Sequence, residues 1–133
     1  MSIQALQNLI DYLASDRLTV EMIVNHLGSI EESHAGSIHI QPNIDDFSLI
    51  SVVRAVDSIY PSHLRVTLRQ PIAISELTQT FGDPRSITME EGEPYAILYD
   101  IGLSNTTYNI TLLAELDAEK LVTTIILRLD TLV

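Results

Sequence analysis

The stretch YNITLLAELDAEKLVTTIILRL, residues 108–129, decides the fold class. Tyr108, Ile110, Leu112, Ala114 and Leu116 alternate with Asn109, Thr111, Leu113 and Glu115. After Asp117-Ala118-Glu119-Lys120 the same period resumes, with Leu121, Thr123, Ile125, Leu127 and Leu129 on one side and Val122, Thr124, Ile126 and Arg128 on the other. A period of two marks a half-buried strand, and a short polar break between two such runs marks a hairpin. The segment reads as two neighbouring antiparallel strands with one face turned to a core.

Upstream, Tyr95 to Ile101 sets Tyr95, Ile97, Tyr99 and Ile101 against Ala96, Leu98 and Asp100, a third strand whose tyrosines are in phase with the core. Pro71 to Phe81 carries Ile74, Leu77 and Phe81 on one helical face, with Ser75 as the cap and Gly82-Asp83-Pro84 as the stop. In the first half, Ile3, Leu6, Leu9, Ile10 and Leu13 make residues 2–15 an amphipathic helix, with Ser2 as its cap. Thr19 then caps a second helix whose face is Val20, Ile23, Val24 and Leu27, and Gly28 closes it. Strands follow at Ile38–Ile40, at Phe47–Val56 and after Pro61, where Leu64, Val66 and Leu68 alternate with Arg65, Thr67 and Arg69.

The two halves match each other. Val20, Ile23, Leu27 and Gly28 fall on Ile74, Leu77, Phe81 and Gly82 at one constant offset, and Leu64, Val66, Leu68 and Arg69 fall on Thr123, Ile125, Leu127 and Arg128 at another. A helix on a three-stranded meander is too small to stand alone, so two such units are expected to share one sheet. The expectation is an α+β fold: two tandem helix-plus-three-strand units forming one antiparallel sheet with helices on one face. Residues 1–133 form a single domain, with 1–70 as an α-α-β-β-β unit and 71–133 as an α-β-β-β unit.

A helix ended by Phe81-Gly82-Asp83-Pro84 and followed by strands resembles the repeat of the β-lactamase inhibitory protein and of the SmpA-type lipoproteins. The match covers Ile72 to Asp130 directly and the rest of the chain through the internal repeat. It departs from those proteins in having no lipidation cysteine or disulfide, and Leu27-Gly28-Ser29 lacks the proline. The resemblance implies a sheet that grips another protein and brings no catalytic residue with it.

Seven Lys plus Arg against eighteen Asp plus Glu give a formal net charge of −11, which repels phosphate backbones and anionic lipid and argues against nucleic-acid binding. The N-terminus has no cation before Arg17, and no apolar run reaches the roughly 20 residues a membrane helix needs. A cytoplasmic protein without membrane insertion is expected. His26, His34, His39 and His63 lack the spacing that puts two metal ligands on one face, and Asp45-Asp46 and the Glu90, Glu91, Glu93 group read as solvated turns. With no phosphate loop, no nucleophile elbow and no cysteine, the expected protein is not an enzyme and holds no metal or cofactor.

The cations are more informative. Arg65, Arg69 and Arg128 fall on the strand side opposite the core, with Val122, Ile126 and Leu113 beside them. Arginine next to apolar residues on an open sheet is the composition of an interface. These six residues are the candidate partner-binding site, with cross-strand pairing to Glu115 and Asp100 as the competing role for the arginines. The leading function is a non-enzymatic protein-binding module whose partner is another protein or itself as a homodimer. An acidic chaperone or small-ligand carrier using a helix–sheet cleft is the alternative, and a cryptic enzyme the second alternative.

Overall fold

In the computed structural model, which describes residues 2–15, 17–103 and 108–131, the chain forms α1 (Ser2–Ser15), α2 (Val20–Leu27), β1 (Gly28–His34), β2 (Ser37–Pro42), β3 (Phe47–Arg54), β4 (Pro61–Ile72), α3 (Ile74–Phe81), β5 (Ser86–Glu90), β6 (Glu93–Leu103), β7 (Tyr108–Leu116) and β8 (Val122–Thr131). The strands pair antiparallel into one sheet in the order β1-β2-β3-β4-β8-β7-β6-β5. Each of α2 and α3 is thus followed by a meander, and the meanders meet where β4 pairs with β8. The α+β class and the single antiparallel sheet are as expected from the alternating runs.

One row of residues shows what holds the sheet together. Ile30, Ile40, Ile50, Val66, Ile125, Ala114, Ile97 and Ile87 are successive cross-strand partners from one edge to the other. The six inner members are buried and the two end members half exposed. The helices lay Leu6, Leu9, Ile10 and Leu13 of α1, Val20, Ile23, Val24 and Leu27 of α2, and Leu77 of α3 onto this face, making one apolar core. Tyr99 sits inside it, its hydroxyl 3.0 Å from that of Thr78 on α3, so the buried phenol has a polar partner.

Each meander has four strands where three were expected, because the two edge strands, β1 and β5, carry little of the alternating signal. β1 reads GSIEESH and is exposed from Ser29 onward; an edge strand needs one hydrogen-bonded neighbour and no buried face along its whole length. Its bulge between Ile30 and Glu32, and the charges of Glu31 and Glu32, keep it from templating another strand. β5 is short and bulged between Thr88 and Met89.

Bulges also moved individual side chains. Thr88 pairs with Ala96 but Met89 with Pro94, so Tyr95 is the extra residue and lies 44 % exposed, in contrast to its expected core position. Likewise Glu115 pairs with Thr124 and Leu116 with Val122, skipping Thr123. Val122 therefore turns into the core, fully buried, and is not on the open face to which strict alternation assigned it. The α3 cap also differs from expectation: Ala73 is the N-cap residue and makes no side-chain cap, so Ser75 lies inside the helix. Thr19 does cap α2, its hydroxyl accepting from the Met22 amide at 3.2 Å. The Ser2 side chain lies outside the described residues.

Asp117 builds the turn of the central hairpin: its Oδ1 accepts from the amides of Glu119 at 2.8 Å and Leu121 at 3.0 Å, and Lys120 takes up a left-handed φ of 64°. No helix among the described residues is long and apolar enough to cross a membrane.

Candidate interface on the open sheet face

Side chains that alternate with the core rows form the face without helices. Its middle row runs Glu32, His39, Ser51, Arg65, Ile126, Leu113, Leu98, Ser86 across all eight strands. Ile126, Leu113 and Leu98 are adjacent on β8, β7 and β6 and each is only partly covered, so they form a short apolar strip. Arg65 closes one end of it and reaches over β8 to Glu115 on β7, Nη2 to Oε1 2.8 Å. The row on one side places Val53, His63, Arg128, Thr111 and Asp100 in succession; the row on the other contains Leu49, Thr67, Thr124, Glu115 and Ala96.

Of the six candidate residues, the structure brings together Arg65, Arg128, Ile126 and Leu113. Val122 is in the core. Arg69 is at the end of β4 and serves the β2–β3 turn: its Nε donates to the Asp45 carbonyl at 2.8 Å and its Nη2 to that of Phe47 at 3.4 Å, while its amide donates to the Asp46 carbonyl at 2.9 Å. It is a structural clamp, and Arg69→Ala is expected to lower stability by about 1–2 kcal/mol through lost charge-assisted bonds, read as a shift of the urea midpoint.

Two further ion pairs near this face are exposed. Arg128 meets Asp130 of its own strand at 3.3 Å, and Asp100 pairs with Arg85 at 3.3 Å and not with Arg128. Pairs of this kind stabilise a fold by about 0–1 kcal/mol each, so they leave the arginines available to exchange partners. Leu98, Val53 and Leu49 belong to this face but were not among the candidates. Leu98 was legible from its phase opposite Ile97 and Tyr99, whereas Leu49-Ile50-Ser51-Val52-Val53 puts apolar residues on both faces and so has no alternation from which to read one.

His63 lies between two cations, opposite Arg128 and two residues from Arg65 on the same face. Partial burial, with the charges of Arg128 and Arg65, holds its imidazole below the ordinary value of 6.5. The neutral ring is thus favoured by folding; the stability this represents is full above the unfolded-state pKa and is lost as pH falls through the lower folded-state one. Melting curves should show His63→Gln gaining on the native protein as the pH drops below about 6.5 and not above it.

The other histidines serve local contacts. His26 stacks on Tyr12 at 3.9 Å and 15°, joining α2 to α1, and burial raises the Tyr12 phenol above its usual range. His39 meets Ser51 at 2.9 Å, and His34 pairs with Glu32 at 2.9 Å. Among the described residues no group of three or more His, Asp or Glu side chains is arranged to hold a metal ion. Glu90 and Glu93 lie outside the residues whose side chains are described.

Comparison with family models, with curated proteins and with solved structures finds no match to this chain.

Proposed function

We propose that this chain is a non-enzymatic protein-binding module that grips its partner, another protein or a second copy of itself, with the helix-free face of its sheet. The observation that carries this reading is the adjacency of Leu98, Leu113 and Ile126 on that face, rimmed by Arg65, Arg128 and Glu115. Apolar residues at the centre with arginine at the border match the make-up of interfaces, where a few desolvated side chains carry most of the binding energy. The rim charges add selectivity, since an arginine fork docks a carboxylate with two parallel bonds.

The double variant Arg65→Glu/Arg128→Glu tests it. Association, followed by native mass spectrometry and light scattering on the purified protein, is expected to weaken at least tenfold, while the melting temperature moves by only a few degrees because the broken pairs are exposed. A large loss of stability with association unchanged would make the arginines structural and remove the proposal.

A further inference from the structure

On the opposite side of the sheet, between α2 and the β1 edge, lies a groove of about 420 Å³. Its base is Ile30 and Ile38, whose side chains share the core-facing side of β1 and β2 but extend past the cover of the helix; Ile30 is 59 % exposed. Val20 and Val24 form the helical wall, and Ile59 from the β3–β4 loop forms the other. The groove is anchored where the loop meets the start of α2, because the Val20 amide donates to the Ile59 carbonyl at 2.9 Å.

Two charged residues border this apolar trough, Arg54 and Glu21, and their situations differ. Glu21 is in the first turn of α2, where the helix N-terminus already offsets a carboxylate. Arg54 has no carboxylate within pairing distance among the described residues; its guanidinium makes one long bond, Nη1 to the Ser58 carbonyl at 3.4 Å. A cation with no counter-ion among the described residues, set beside an apolar trough in a chain of net charge −11, fits a ligand that brings an apolar body and its own carboxylate. The volume is at the small end of the roughly 300–1,000 Å³ typical of ligand sites, so the body is short.

We propose that this groove binds a small aliphatic carboxylate, its chain against Ile30 and Ile38 and its head group on Arg54. The site is separate from the open face and does not depend on it.

The test is a two-dimensional amide NMR titration of the full chain with octanoate, octylamine and octanol. Octanoate is expected to shift the amides of Ile30, Ile38 and Arg54 saturably; Arg54→Gln should weaken it at least tenfold, and Ile30→Asp, at a half-exposed position that leaves the fold intact, should abolish it. Equal binding of octanol or octylamine would overturn the carboxylate assignment. Shifts confined to other residues, or none at all, would overturn the site.

Discussion

Gly28→Ala is expected to lower the free energy of unfolding by about 3 kcal/mol, at the upper end of what one extra methyl costs in a packed region. Gly28 is where α2 gives way to β1 and the chain passes directly against β2. A Cβ placed there would lie 2.1 Å from the Gln41 carbonyl oxygen, 2.9 Å from Ile40 Cγ2 and 3.0 Å from the Gln41 carbonyl carbon. Two of these atoms are backbone and cannot step aside unless the β1–β2 pairing of Gly28 with Pro42 opens. Gly82, its counterpart in the other half of the sequence, is glycine for another reason: φ is +86° and ψ −171°, a region nearly closed to other residues, yet nothing lies within 4 Å of an added Cβ. Urea denaturation should therefore show a cost that grows from alanine to valine at position 28 and stays near one value, about 1–3 kcal/mol, at position 82. Equal behaviour at the two sites would contradict the close approach at Gly28.

Ile125→Ala is the second large loss, about 3–4 kcal/mol, because it removes a fully buried side chain from the middle of the sheet. Ile125 joins the two meanders, with Val66 on one side and Ala114 on the other, and small Ala114 leaves little to fill the space. In a domain of total stability about 5–15 kcal/mol this is a large fraction. Ile87→Ala, at the half-exposed end of the same row, is expected to cost under about 1 kcal/mol. The ratio of the two, from denaturation midpoints, checks whether the row runs from a buried centre to open edges.

The contrast between these positions also explains what could be read in advance. The 108–129 hairpin was legible because each of its strands has one buried face, so alternation is nearly complete and Asp117 to Lys120 supplies the turn. α1 and α2 were legible for the same reason at helical spacing. Signal failed where burial was partial or register broke. Ser29 to His34 is an exposed edge, so its side chains answer to solvent and not to a core. Val122 and Tyr95 were placed by parity, and a bulge beside each reverses or cancels parity while leaving the composition ordinary. Arg69 has the same alternation as Arg65, but only the tertiary path of the β2–β3 turn brings the Asp45 and Phe47 carbonyls to its guanidinium. The Arg54 groove was not legible in the sequence, which offered a helix–sheet cleft only within an alternative function and without residues, since its walls come from α2, two strands and a loop that are distant in sequence.

If the helix-free face of the sheet meets another polypeptide, site-specific photocrosslinking captures that contact in place. A benzophenone amino acid placed at Leu113, in the middle of that face, and in a control protein at Asn8, on the exposed side of α1, would be irradiated in cells and the adducts identified by mass spectrometry. The expected result is a discrete adduct with a second polypeptide, self or foreign, from position 113 and none from position 8, lost when Arg65 and Arg128 are reversed to glutamate. No adduct from position 113, or the same adducts from both positions, would contradict the claim.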